Sequence, residues 1–171
     1  IHGTLSMTCE LSRRHFVQQF GATSGMALAG SAWGNSLRPR PRVAALFTEF
    51  RFRSHAYNIL ENFLRPYLFR GKLTDPGVDV VSFYADQFPA NDMAREASKR
   101  FGIPLFKSID QALCVGGNKL AVDAVLSIGE HGNYPVNKRG QRMYPRKEFF
   151  DQSVAVMKRS GRFVPFFNDK H

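Results

Sequence analysis

The sequence lacks any run of eighteen uninterrupted apolar residues, so a membrane-spanning helix and a stable membrane anchor are not expected. Cysteine is almost absent as well. Cys9 lies in the N-terminal segment described below, and Cys114 sits in the apolar stretch Ala-Leu-Cys-Val at 112–115. Such a position is typical of a buried, inert thiol, and we expect no structural disulfide.

Two catalytic or metal-binding signatures are also missing. No His/Cys cluster has the spacing of a zinc site, and no G-x-S-x-G nucleophile elbow occurs. The formal net charge is +10, but the basic residues are scattered through the chain and form no compact stripe. This pattern indicates a solvated basic surface, so a nucleic-acid partner is not expected.

The N-terminal segment resembles a twin-arginine export signal. Arg13 and Arg14 are followed two positions later by Phe16, then by a weakly apolar stretch at 20–29 and small residues suited to cleavage. We predict a signal peptide over 1–32 with Met7 as the start, a linker over 33–42, and export by the twin-arginine machinery to the periplasm or the medium. An amphipathic N-terminal helix with a basic start is the alternative.

From Val43 onward, strand-like and helix-like segments alternate. Short apolar runs predict strands over 43–48, 78–84, 105–107, 122–128 and 163–167. Between them lie helix patterns with start signals at Ser54, Asn91, Ser108 and Pro145, and stop signals at Gly102, Gly116 and Gly161. This alternation predicts an α/β fold over 43–171: a doubly wound, Rossmann-like parallel sheet with helices on both faces.

Three motifs carry a family resemblance. They are Ala97-Ser-Lys-Arg-Phe-Gly-Ile-Pro104, Ser108-Ile-Asp-Gln-Ala-Leu113 and Val122-Asp-Ala-Val-Leu-Ser-Ile128. Together they resemble the N-terminal domain of the glucose-fructose oxidoreductase and inositol dehydrogenase (Gfo/Idh/MocA) family. The resemblance implies NAD or NADP as cofactor, a sugar or polyol as substrate, and a C-terminal substrate domain that we expect to be missing from this chain.

The resemblance has two departures. The family's glycine-rich first loop is replaced by Thr-Glu-Phe-Arg-Phe-Arg-Ser-His at 48–55, which contains no glycine. Bulky side chains there should obstruct the usual pose of a pyrophosphate, although Arg51, Arg53 and the helix start near Ser54 supply positive charge. The family's Glu-Lys-Pro motif is matched at Lys170 only with one inserted residue.

In a doubly wound sheet, ligands bind beyond the carboxyl ends of the strands, where the strand order reverses. An acidic residue after the second predicted strand suits a ribose hydroxyl, and a histidine in a glycine-flanked loop suits proton transfer. His55, at a helix start, is a weaker candidate. The predicted cofactor-binding residues are Thr48, Glu49, Phe50, Arg51, Arg53, Asp86, Ile128, Gly129 and Glu130, and the predicted catalytic residues are His131 and Lys170.

Three functions remain open on these grounds. The first is the N-terminal part of an exported NAD(P)-dependent oxidoreductase that acts on a sugar or polyol. The second is a secreted, non-catalytic binding protein that has kept the Rossmann-like scaffold and lost the dinucleotide site. The third is an exported metal-dependent hydrolase that uses Glu130 and His131.

Overall fold

The computed structural model describes residues 39–170, and the predicted signal peptide and most of the linker lie outside them. The strands are β1 (Arg42–Phe47), β2 (Tyr67–Phe69), β3 (Lys72–Thr74), β4 (Asp79–Ala85), β5 (Leu105–Phe106), β6 (Ala124–Ile128) and β7 (Phe166–Asn168). The helices are α1 (His55–Leu64), α2 (Ala94–Phe101), α3 (Ile109–Cys114) and α4 (Arg146–Arg159). Among these residues, no helix is both long and apolar enough to span a membrane.

The main sheet has five strands in the order β5-β4-β1-β6-β7, and all of its pairings are parallel. The chain steps outward from β1 on one side through β4 and β5, then returns to the other side through β6 and β7. The order therefore reverses between β1 and β6, which is the topological switch point of a Rossmann-like sheet. The predicted doubly wound α/β fold is confirmed.

Each face of this sheet carries its own apolar core. On one face, Ala45, Phe47 and Phe83 pack with residues of α1 and α2, such as Leu60 and Ala97. The other core forms under α3 and α4, where Ala44 and Leu46 of β1 alternate with the residues of the first face. Because neighbouring residues of a strand point to opposite faces, the fully apolar sequence of β1 is explained by burial on both sides.

Several local predictions hold in atomic detail. The Ser54 hydroxyl accepts a hydrogen bond from the Tyr57 amide at the start of α1, and the Ser108 hydroxyl accepts one from the Gln111 amide at the start of α3. Gly102 ends α2 in the left-handed conformation expected of a C-terminal glycine. These contacts satisfy amide and carbonyl groups that the helices themselves leave unpaired.

Two helix boundaries were predicted wrongly. Apolar residues keep helical spacing from Ile59 through Tyr67 and so predict a helix to that point. Helix α1 instead ends at Leu64, because Pro66 forces Arg65 into an extended conformation. Tyr67 instead begins a separate two-stranded hairpin, β2–β3. Asn91 was expected to cap α2, yet the helix begins after Met93 and the Asp92 carboxylate accepts the hydrogen bond from the Ala94 amide.

The last two strands of the main sheet are also displaced from their predicted bounds. Strand β6 is shorter, because residues 122–123 lie before its first pairing with β1, although Val122 is fully buried. The predicted strand at 163–167 is shifted, and β7 begins only at Phe166. At Val122 the apolar character marks burial without a strand, whereas at the second place Phe163 is neither in a strand nor buried.

The core on the α1–α2 face gives a stability prediction. Phe47 is fully buried, and its ring centroid lies 5.6 Å from that of Phe50 and 5.5 Å from that of Phe83. Phe47→Ala should lower the free energy of unfolding by about 3–5 kcal/mol, because it leaves a cavity at the centre of the core. Urea denaturation measures this. Phe163→Ala, at a phenylalanine that is 67% exposed, should change it by less than about 0.5 kcal/mol, and equal losses would contradict the packing described.

Candidate functional site

Thr48 holds together the edge of the sheet where the strand order reverses. It follows β1 directly and is fully buried. Its amide donates to the Ile128 carbonyl, its hydroxyl donates to the Glu130 carbonyl, and its own carbonyl accepts from the Gln87 amide. The loops after β1, β4 and β6 therefore meet at this one residue. We call the edge that they form the switch-point crevice.

The glycine-free first loop does not fill this crevice with aromatic side chains. Phe50 turns back into the core and is only 5% exposed. Phe52 stays on the surface, where it meets the Tyr57 ring edge-on at 5.3 Å. Arg53 takes a left-handed backbone with φ of 61°, a conformation that a glycine usually supplies, and its guanidinium lies over the Phe52 ring.

Two ion pairs occupy the crevice itself. Glu49 is 5% exposed and pairs with Arg51 from the same loop. On the β6 side, Glu130 pairs with Arg146 at the start of α4, and Arg146 also donates through Nε to the Gly129 carbonyl at 3.2 Å. Both guanidinium groups that approach the crevice are thus matched by carboxylates from within the chain.

A histidine cluster, made of His55, His131 and Asp169, lies beside these pairs. The Nδ1 atom of His55, the first residue of α1, is 2.7 Å from Oδ2 of Asp169, which follows β7. The His131 ring meets the His55 ring edge-on with centroids 5.1 Å apart. A Nδ1–H that donates to the carboxylate orients the His55 ring, an arrangement used in acid–base catalysis.

His131 is held under strain. Its backbone φ is 68°, a left-handed conformation that costs a residue with a Cβ free energy. Its Nδ1 atom is buried and has no hydrogen-bond partner among residues 39–170. Burial, followed by the positive charge of Arg51 and the neighbouring His55, lowers the pKa of His131. The ring is therefore neutral at physiological pH and carries an unpaired polar atom, a combination that marks functional sites.

Asp86 lies where the sequence predicts it, directly after β4, but its carboxylate is already engaged. It accepts hydrogen bonds from the Tyr84 hydroxyl at 2.8 Å and the Tyr134 hydroxyl at 2.6 Å. Next to it, the Gln87 amide side chain exchanges two hydrogen bonds with the backbone of Asn133. Both partners at 133 and 134 belong to the loop after β6, which therefore closes over the end of β4.

Burial and the contacts with Asp86 change the pKa of the two tyrosines, Tyr84 and Tyr134. Burial, and then the hydrogen bond to the Asp86 carboxylate, raise the pKa of both Tyr84 and Tyr134. Both hydroxyls therefore remain protonated donors throughout the physiological range. A ribose hydroxyl could bind the Asp86 carboxylate only in competition with the hydroxyls of Tyr84 and Tyr134.

The structure brings most of the predicted site residues together at one edge. Thr48, Glu49, Arg51, Glu130 and His131 meet in the crevice. Gly129 lies so close to Arg146 that a Cβ there would be 2.7 Å from Cγ of Arg146 and would displace that side chain. The other predicted residues are set apart: Phe50 and Ile128 are buried in the core, Arg53 is exposed, and Lys170 is exposed one residue beyond Asp169.

Sequence reasoning missed Asp169, Arg146, Tyr134 and Asp92. Asp169 stands next to the predicted Lys170, yet its partner His55 is 114 positions away, and nothing local marks such a pair. Asp92 supports the first loop, because its carboxylate accepts a hydrogen bond from the Phe50 amide at 3.1 Å. An acidic residue before a helix was the one signal that pointed to it.

No group of three or more His, Cys, Asp or Glu side chains within residues 39–170 is arranged to hold a metal ion. Glu130, one of the two residues of the hydrolase hypothesis, is paired with Arg146 instead. Comparison of the chain with protein-family models, with curated proteins and with solved structures gives no match.

The lowered pKa of His131 predicts how stability depends on pH. An unfolded chain binds the imidazole proton near pH 6.5, whereas the folded protein binds it only at lower pH, so protonation favours unfolding. Stability should therefore fall as pH decreases below about 6.5, by at most about 1.4 kcal/mol per pH unit from this group. Above that pH the group contributes no pH dependence.

His131→Asn should remove this component, because asparagine tolerates the left-handed backbone and does not titrate. Urea denaturation between pH 7.5 and 5.5 measures it, and the difference in unfolding free energy between variant and wild type should move in the variant's favour as pH falls. Tyr134→Phe, a nearby change that does not titrate in this range, is the control. A pH-independent difference for His131→Asn would contradict the interpretation.

Proposed function

We propose that this chain is a Rossmann-like binding module whose switch-point crevice holds a small hydroxylated molecule, a sugar or polyol, in place of a dinucleotide. The observation that carries the proposal is the histidine cluster. His131 offers a buried, unpaired Nδ1 atom, and the adjacent His55 is oriented by Asp169. A neutral imidazole such as that of His131 and a carboxylate are suited to hydroxyl groups, which donate and accept hydrogen bonds without bringing charge.

The electrostatics of the crevice favour such a ligand over a pyrophosphate. Three carboxylates, of Glu49, Glu130 and Asp169, face two guanidinium groups, both of which are already paired. A pyrophosphate would therefore be repelled by these carboxylates and would compete with two of them for both guanidinium groups. At the start of α1, the Ser54 hydroxyl already accepts the hydrogen bond of the Tyr57 amide, so one of the amides that could bind a phosphate is occupied.

Contacts within the chain also lie along the path that a dinucleotide would take. A dinucleotide lies across the carboxyl edge, with its adenosine ribose at the end of the second strand in sheet order. That place corresponds to Asp86, which the loop after β6 covers through Tyr134. The His55–Asp169 contact spans from the start of α1 to the end of β7, across the other half of the same path.

An NAD(P)-dependent oxidoreductase that acts on a sugar or polyol remains the second candidate. It is favoured by the strand order β5-β4-β1-β6-β7 and by the place of Asp86 directly after β4. Dinucleotide binding would require the contacts of Asp86 and Gln87 with residues 133–134 to open. The two candidates share the substrate class and differ in whether a nicotinamide nucleotide binds.

Thermal unfolding of the full chain with added ligands tests the proposal. At about ten times the dissociation constant, a binding sugar or polyol from a panel that includes glucose, inositol and sorbitol should raise Tm by roughly 4 °C. NAD and NADP should not. Asp169→Asn and His131→Asn should abolish the increase, because they remove the groups that bind hydroxyls, whereas Asp151→Asn, at an exposed α4 carboxylate paired with Lys147, should keep it.

The outcomes of this panel separate the candidates. A Tm increase with NAD or NADP that Asp86→Asn removes would support the oxidoreductase and overturn the first proposal. A sugar-induced increase that survives in Asp169→Asn would move the ligand away from the histidine cluster.

We also propose that the chain is exported by the twin-arginine machinery, on the residues at 12–17 of the sequence. Replacing both Arg13 and Arg14 by lysine should trap the protein in the cytoplasm, because that route requires the arginine pair. Cell fractionation measures the distribution. Replacing Arg95 and Arg100 of α2 by lysine is the matched control, and unchanged secretion of the first variant would remove the proposal.

A further inference from the structure

The β2–β3 hairpin stands apart from the main sheet and presents apolar side chains to solvent. Leu68 and Leu73 face each other across the two strands, and each is 74% exposed. Phe69, beside them, is 53% exposed. Large apolar side chains grouped in this way are unusual on the surface of soluble proteins and mark a site of interaction.

The hairpin has a regular backbone despite its exposure. Its two-residue turn is Arg70-Gly71, with φ of 49° and 76°, and positive values at both positions are typical of the turn that matches the twist of paired strands. Pro66, immediately before the hairpin, separates it from α1. The turn and the strand pairing therefore present both leucines to solvent.

The charges around these apolar side chains are of one sign. Arg65, Arg70 and Lys72 are exposed, and no acidic residue occurs from 62 to 74. The nearest carboxylate that follows, Asp75, is paired with Arg40 at 2.9 Å. The guanidinium of Arg70 lies 5.3 Å from the centre of the Phe69 ring, so an apolar and a cationic group share one position.

We propose that this hairpin docks on the surface of an anionic phospholipid bilayer. Its exposed leucines and Phe69 enter the boundary between headgroups and acyl chains, while Arg65, Arg70 and Lys72 meet the lipid phosphates. A protein partner fits less well, because three apolar side chains cover far less than the roughly 800 Å² per partner of a stable interface. Nucleic acid fits less well too, because leucines cannot stack on bases.

A fluorophore placed on the hairpin tests this docking locally, so that lipid binding by the N-terminal segment does not confuse the result. The full chain carries Leu68→Cys labelled with an environment-sensitive dye, with Cys9→Ser and Cys114→Ala. Vesicles of equimolar phosphatidylcholine and phosphatidylglycerol should increase the dye emission and shift it to the blue. Vesicles of phosphatidylcholine alone should leave it unchanged, and so should either vesicle type with a dye at Phe163→Cys.

Charge variants test whether Arg70 and Lys72 contribute to binding of the anionic bilayer. Arg70→Gln with Lys72→Gln should weaken partitioning about 30-fold, because each cation near an anionic surface contributes about fivefold. Lys99→Gln with Arg100→Gln removes the same charge from α2 and should have a much smaller effect. An unchanged dye on anionic vesicles, an equal response to neutral vesicles, equal effects of the two charge pairs, or a response to protein concentration without vesicles would each overturn the proposal.

Discussion

The junction at Thr48 is the constraint on which the crevice depends. A single buried residue links the end of β1 to the loops after β4 and β6 through its amide, its carbonyl and its hydroxyl. Because the strand order reverses at β1, these loops diverge from that point, and without a common anchor their relative positions would be set only by solvent-exposed contacts. The hydroxyl bond to the Glu130 carbonyl also places His131, the next residue, against His55.

Charged and polar side chains occupy the first loop at this junction, where a dinucleotide site has glycines. A glycine-rich loop leaves backbone amides open to a pyrophosphate, whereas here Glu49 and Arg51 neutralise each other and Ser54 caps α1 from within. The loop after β6 then closes over Asp86 through Tyr134. Each of these contacts is internal, so the edge is preorganised around the chain's own groups. The buried side-chain atoms without a partner within residues 39–170 are Nδ1 of His131 and the hydroxyls of Ser82 and Ser127. Because Nδ1 of His131 is buried, a ligand reaches it only when the neighbouring side chains move apart.

The sequence predicted those features that local physics determines. Buried strands, the caps at Ser54 and Ser108 and the glycine after α2 follow from apolar runs and backbone preferences within a few residues. The prediction extended α1 through Tyr67, where helical spacing of apolar residues outweighed the effect of Pro66. The crevice could be located from the strand order, but Asp169 could not be assigned to His55, since a contact across 114 positions depends on the assembled sheet. The strain at His131 was equally hidden, because no local signal in the glycine-flanked loop indicates that the histidine itself takes the left-handed backbone.

That strain is informative because the sequence offers easy ways to avoid it. Gly132 adjoins His131 and itself has φ of 101°, and glycine at 131 would take a left-handed backbone without cost. A histidine there brings an unfavourable conformation and a buried nitrogen without a partner, both of which lower the stability of the folded state. Neither cost is offset by a hydrogen bond within the described residues. A ligand that hydrogen-bonds to Nδ1 would offset the second cost on binding, so the residue that weakens the unliganded fold is also the one with the most to contribute to affinity.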